Sequence, residues 1–224
     1  MRGDVIDKVL LRDLPSLFGI TDMNELYRLF TSLAYNSGNE LSLEGLSKNA
    51  GLAKNTLKRY LDYLEAAFLI RSVYRVDQDG RRFQRDRTFK VYLTNSSIRS
   101  GLFTPLSEED PSLGDSVETV VLAQNLMQLA FYARWKSGQK DQEVDFIFKS
   151  PGYEIEELVE VKYTDRVVKQ RDSWQAILSF AQRRGVSEVI ITTKTIEKTI
   201  MENGITIRFI PTSVYTYARC TLKG

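Results

Sequence analysis

The sequence predicts an α/β protein in two parts, a helical segment closed by a hairpin and then a mixed set of strands and helices. Three observations point there. Apolar residues recur at spacings of three and four between residues 22 and 67, short strand-like runs fill much of the second half, and a loop with Pro105, Pro111 and Gly114 separates the two patterns near residue 110. A chain of 224 residues has room for one large core or two small ones.

Within residues 22–37, Asp22 and Glu25 form a capping-box pattern, while Leu26, Leu29, Phe30 and Leu33 share one apolar face and Gly38 supplies a stop. Ser42 then caps a short helix running to about Asn49, and Ala50-Gly51-Leu52 makes a tight turn. A third helix covers 54–67, with Leu57, Tyr60, Leu61 and Leu64 at helical spacing. Strand-like residues 69–76, a turn at Gln78-Asp79-Gly80, the basic run RRFQRDR and strand-like residues 89–93 follow. Three helices, the last two separated by a short turn and followed by a hairpin, have the order of a winged helix-turn-helix, assigned to 15–95. Residues 96–111 read as a linker holding a short helix and a loop.

In the second part, 112–224, Asp115 is expected to cap a helix over 116–129. Strands are expected at 131–136, 143–149 and 158–163, then a helix at 170–184, a strand at 188–193, a short helix near 195–203, a strand at 205–209 and a Pro-initiated helix at 212–219.

Composition narrows the chemistry. Apolar content of 42% with 27% charge is ordinary for an ordered globular chain. Net charge is +2, but residues 1–100 hold 16 Lys and Arg against 12 Asp and Glu, and the remainder 15 against 17. Cys220 is the only cysteine, so no internal disulfide forms, and a reducing cytoplasm is the expected compartment. The chain has no histidine, which excludes His-dependent triads, imidazole zinc sites and histidine general bases. Acid–base and metal chemistry must rest on carboxylates, lysines and backbone oxygens, a donor set for hard cations such as Mg²⁺ or Mn²⁺. No apolar run approaches the ~20 residues of a membrane span, and MRGDVIDK lacks the apolar core of a signal peptide.

One stretch stands out: ELVEVKYTD, residues 157–165, sets Glu160 and Lys162 two apart in an apolar run. Strands alternate faces, so Glu160 and Lys162 share one face, and in EVDFIF Asp145 faces away from Val144 and Phe146. If the two strands are neighbours, Asp145, Glu160 and Lys162 converge. Two carboxylates, with the backbone carbonyl of Val161, suit a Mg²⁺ ion, and a lysine beside them is placed to orient a water and offset charge on a phosphate. Taken alone, Glu160 with Lys162 reads as a solvated edge-strand ion pair worth well under about 1 kcal/mol, and it is Asp145 and Glu118 beside it that turn the reading towards a site.

Asp145 followed by Glu160-Val161-Lys162 on the next strand resembles the PD-(D/E)XK signature of restriction-endonuclease-like nucleases, with Val144 where that signature carries proline. The helix, three strands, helix, strand order of 112–224 is similar to that core. The resemblance implies a restriction-endonuclease-like domain in which Asp145 and Glu160 bind metal, Lys162 handles the water, and Glu118 on the preceding helix assists. Over nearly the whole chain, VLLRDLPSLFGITD, LSKNAGLAKNTLKRYLDYLEAAFLI, FKVYLTNSSIR, LGDSVETVV and RWKSGQKDQEVDFIF resemble the C-terminal region of bacterial and archaeal AAA-type P-loop ATPases. That family pairs a winged helix with a nuclease-like domain behind an ATPase module. The chain holds no GxxxxGK[ST] stretch, so the resemblance implies a fragment whose residues 1–14 link to an ATPase module, with ATP bound only there. DNA, that module and further copies of the chain are the expected partners, and no membrane is.

On the winged helix, Lys54, Asn55, Lys58 and Arg59 are the candidates for a DNA groove, and Arg81 and Arg82, with Arg85 and Arg87, for a wing on the phosphate backbone. Asp62 and Glu65 dilute the first patch, which packing or partner binding explains as well, and Asp77, Asp79 and Asp86 the second, which an exposed hairpin tip explains as well. Trp135 and Trp174 read as core anchors. The function expected is Mg²⁺-dependent binding and hydrolysis of DNA. The alternatives are an inactive nuclease-like module that regulates an ATPase, and a transcription regulator built on the winged helix.

Overall fold

A computed structural model describes residues 4–77, 88–110 and 112–222, and its contacts divide the chain into two compact units. Unit 1 comprises Met1–Ser72 with Arg87–Thr119, and unit 2 comprises Val73–Asp86 with Val120–Gly224. Together they make a mixed α/β protein.

In unit 1, α1 (Asp4–Lys8), a π-helical turn (Val9–Asp13) and α2 (Leu14–Phe18) run on to Gly19 at φ 65°. Ile6, Leu10 and Leu14 recur every four residues and are buried in the core with Leu26, Phe30, Leu33, Leu57 and Leu64. The stretch 1–14, expected as a linker, is therefore helical from Asp4 and helps build the core; the spacing in VIDKVLLRDL carried that signal. Next come α3 (Met23–Tyr35), β1 (Glu40–Ser42), α4 (Leu43–Ala50) and α5 (Lys54–Ala66). The caps read from the sequence form: the Glu25 N–H donates to Asp22 Oδ1 and the Gly45 N–H to Ser42 Oγ, each at 2.9 Å. Strand β2 (Ile70–Val76) leaves α5 for unit 2, and β3 (Thr88–Leu93) returns to pair antiparallel with β1.

α6 (Ser96–Leu102) and α7 (Leu113–Ala123) follow. α7 starts ahead of Asp115, because Asp110 Oδ1 accepts the Ser112 N–H at 2.8 Å, and it ends at Ala123 instead of 129.

Unit 2 is dominated by a mixed sheet, with β4 (Leu129–Ser137), β5 (Lys140–Lys149), β6 (Ile155–Glu160), β7 (Glu188–Thr193), β8 (Lys198–Glu202) and β9 (Ile205–Pro211). The sheet order is β2-β4-β5-β6-β7-β9-β8. β5 runs antiparallel to β4 and β6, while β6, β7 and β9 are parallel to one another. The short helix expected near 195–203 is instead β8. Asn203 and Gly204 both take positive φ, 52° and 78°, and make the two-residue turn that pairs Glu202 with Ile205, so ladder hydrogen bonds replace helical ones.

Between β6 and β7 the chain forms 3₁₀ turns at Asp165–Val168 and Arg171–Trp174 and then α8 (Gln175–Arg184); α9 (Thr212–Leu222) closes the unit. Ile177, Leu178 and Phe180 of α8 pack with Trp174, Val144, Ile147, Leu158, Ile191 and Phe209 in one buried core, with Trp135 at its margin. Each such side chain contributes about 1.5–3 kcal/mol by leaving water. Among the described residues no helix is long and apolar enough to cross a membrane.

Candidate functional site

The register of β5 on β6 pairs Phe146 with Val159 and Ile147 with Leu158; one step further sets Asp145 opposite Glu160. Both carboxylates are 5% exposed, on a face that continues through the fully buried Ile147 and Leu158. Lys162 stands two residues beyond Glu160, and its Nζ lies 2.8 Å from Glu160 Oε1 and 3.5 Å from Asp145 Oδ2. One ammonium thus stands between two buried carboxylates. Charges removed from water need such neutralisation, because an unpaired buried carboxylate costs several kcal/mol.

The backbone beyond β6 is held by side chains. Asp145 Oδ2 accepts the Val161 N–H at 2.7 Å. Thr192 Oγ1 on β7 accepts the Lys162 N–H at 2.8 Å and donates to the Lys162 carbonyl at 2.9 Å. The strand expected to run to 163 therefore leaves its regular ladder at Glu160. Thr192 is fully buried and was not singled out by sequence reasoning, since a threonine inside EVIITT reads as one more β-branched strand residue. Asp165 holds the turn after β7. It accepts from the Thr195 N–H at 2.8 Å, the Thr195 hydroxyl at 2.7 Å and the Ile196 N–H at 3.1 Å, and the Thr195 hydroxyl, with these N–H groups, lowers its pKa below the ordinary carboxylate value. Tyr163, beside Lys162, is 40% exposed, and Lys194 Nζ lies 5.9 Å from its ring centre.

Glu118 lies on α7 in unit 1. Its Oε2 accepts from the Tyr92 hydroxyl at 2.6 Å and stands 3.7 Å from Lys90 Nζ. Also in unit 1, Lys54, Asn55, Lys58 and Arg59 form an exposed stripe on α5, opposite Leu57, Leu61 and Leu64. Lys54 pairs loosely with Glu44 at 3.8 Å, and Arg59 donates to the Tyr63 hydroxyl at 3.2 and 3.1 Å. Arg81, Arg82, Arg85 and Arg87 lie outside the described residues. Among the described residues no group of three or more His, Cys, Asp or Glu gathers as a ready metal cage. What converges is a pair of carboxylates with a lysine.

Residues 1–110 match a domain of unknown function, DUF8612. That match covers the chain from α1 through α6 and stops short of Asp145. The chain is also 30% identical over 159 residues to the uncharacterized proteins Rv2008c of Mycobacterium tuberculosis and Mb2031c of Mycobacterium bovis, in each case over 67% of this chain and 35% of the relative. It therefore spans about a third of the length of the curated relatives it matches. No solved structure matches the chain.

Proposed function

We propose that unit 2 is a nuclease-like domain that hydrolyses DNA phosphodiesters with Mg²⁺ or Mn²⁺ at Asp145, Glu160 and Lys162. The observation that carries this reading is the meeting of the Asp145 and Glu160 carboxylates at one ammonium, which marks a place built to hold positive charge. The order α7, β4, β5, β6, α8, β7 supports it, being that of the PD-(D/E)XK core. The donor set also fits the ion. Asp145 and Glu160 offer hard carboxylate oxygens and Val161 a carbonyl, the oxygen donors such an ion takes.

When bound, the ion supplies Lewis acidity and a water of lowered pKa. The chain does the rest. Asp145 and Glu160 would hold the ion; they stand at the end of an apolar face, where low polarity strengthens each charge interaction. Lys162 orients the attacking water and stabilises the charge that grows on the phosphoryl oxygens. Glu118, the further carboxylate the resemblance implies, belongs to unit 1 with Tyr92 and Lys90 and is given no part in this reading.

Along the chain, helix α3, strand β1, helices α4 and α5 and strands β2 and β3 follow one another, and in unit 1 β1 pairs with β3, which supports a winged helix. The α5 stripe of Lys54, Asn55, Lys58 and Arg59 would then meet the duplex, its charges reading the phosphates. The whole protein would join these units to a P-loop ATPase module.

The experiment is incubation of the purified chain with plasmid and branched DNA, with Mg²⁺, with Mn²⁺ and with EDTA. Metal-dependent nicking that disappears in Asp145→Ala and Lys162→Ala is the expected result. Cleavage that survives both substitutions would falsify the residue roles. A second reading, a nuclease-derived module that regulates an ATPase without cutting, is favoured by the ion pairs that already neutralise the two carboxylates. It predicts no cleavage of any substrate and unchanged binding of the chain to the ATPase module in Asp145→Ala.

A further inference from the structure

The regular β6–β7 ladder pairs Val159 with Ile190 and Glu160 with Ile191, and it stops there. Beyond that point Lys162 is tied to β7 through a side chain. The Thr192 hydroxyl takes both polar groups of the Lys162 backbone, accepting from its N–H at 2.8 Å and donating to its carbonyl at 2.9 Å. A hydroxyl offers one proton and two lone pairs, so this pair of hydrogen bonds to one residue uses its donor and one acceptor site. On the other side, Asp145 fixes the preceding Val161 N–H at 2.7 Å. Residues 161 and 162 are thus gripped from both neighbouring strands. The Nζ of Lys162 consequently falls 2.8 Å from Glu160 and 3.5 Å from Asp145.

We propose that Thr192 is the positioning residue of this site: its hydroxyl fixes the backbone of Lys162 and thereby holds the ammonium between the two carboxylates. The inference rests on reading Lys162 as the working residue of the site. Valine in place of Thr192 keeps the β-branched shape but takes this hydroxyl away from the Lys162 N–H and carbonyl, in a position that is completely buried. Without that hold from β7 the backbone at 162 shifts, and the lysine moves with it. Serine retains the hydroxyl and serves as the conservative variant.

The test compares the 224-residue chain with Thr192→Val and Thr192→Ser. Limited acetylation with acetic anhydride is followed by mass spectrometry, reading Lys162 against the exposed Lys54, on samples whose melting curves show them folded. An ammonium released from two carboxylates should label about tenfold faster in Thr192→Val, while Thr192→Ser stays within about twofold of the unaltered chain. Equal Lys162 labelling in all three would overturn the proposal, as would fast labelling in the serine variant. If the valine variant does not fold, amide hydrogen exchange on the unaltered chain decides. The Lys162 amide must be protected there, and rapid exchange overturns the assignment. The labelling needs no activity. Absence of DNA cleavage would sink the nuclease reading and leave Thr192 in place, whereas unchanged labelling in a chain that cuts DNA would sink Thr192 alone.

Discussion

The basic stripe on α5 and the charged trio at the end of β6 hold similar residue types in opposite surroundings. Lys54, Lys58 and Arg59 point into water, where a charge costs little and an ion pair returns little; Lys54 meets Glu44 only at 3.8 Å, with both side chains more than half exposed. Asp145 and Glu160 are 5% exposed and are kept by Lys162, with the Val161 N–H donating to Asp145. The contrast teaches where charge signals a purpose. A solvated stripe is compatible with many roles, but a chain that buries two carboxylates against one ammonium accepts a desolvation cost that packed leucines would avoid.

The largest expected effect comes from removing the cation. Lys162→Met should destabilise the chain by about 3 kcal/mol in urea unfolding, the low end for breaking a buried pair because Lys162 is partly solvated. Added Mg²⁺ should then raise the melting temperature of this variant more than that of the unaltered chain. A variant as stable as the parent would place the trio in the same class as the α5 stripe and end the contrast.

Next is a site where unit 1 carries strain instead of charge. Phe68 ends α5 at φ 54°, with the Leu69 N–H reaching back to the Leu64 carbonyl, and it is 76% exposed. That left-handed position suits glycine, so Phe68→Gly should stabilise by about 1 kcal/mol in the same measurement. A loss of stability would mean that the ring makes contacts its exposure hides.

Asp165 tests a surface carboxylate that is hydrogen-bonded but not buried. The Thr195 hydroxyl and the N–H groups of the turn lower its pKa, so the folded state binds its proton less readily than the unfolded chain does. Its contribution is present above the ordinary carboxylate pKa and is lost as pH falls through the depressed value. The stability gap between the chain and Asp165→Asn should be open at neutral pH and close in acid. A gap that does not change with pH would assign the effect to the shape of the turn.

The smallest effect on stability belongs to the stripe itself. Lys58→Ala with Arg59→Ala should change unfolding by no more than about 0.5 kcal/mol per site. If α5 meets DNA, the same pair should lower the slope of log affinity against log salt by about two. An unchanged slope would leave the stripe as solvated surface and remove DNA from unit 1.

Much of this architecture is legible in the residues. Asp22, Ser42 and Gly51 mark helix ends because capping is local chemistry, decided within one turn of chain. A period of two puts Glu160 and Lys162 on one face of their stretch, and Asp145 away from Val144 and Phe146 on its own. Other features were legible but outweighed: Ile6, Leu10 and Leu14 have helical spacing in a stretch read as a linker, and Asn203-Gly204 is a hairpin turn in a stretch read as helix. The strand won there because β9 offered β8 a partner, which no window around residues 195–203 displays.

By itself, then, the sequence determined the available chemistry and the local elements. Without histidine and with one cysteine, it left carboxylates and lysine, and its periodicities set most helices and strands. Only the tertiary structure decided that β5 and β6 are neighbours, that their register sets Asp145 against Glu160, and that Thr192, 30 residues on from Lys162, holds that lysine from the next strand. Local preferences act over one turn or one pleat. Which carboxylate meets which ammonium depends on strand pairing between distant segments, and the folded sheet alone specifies that pairing.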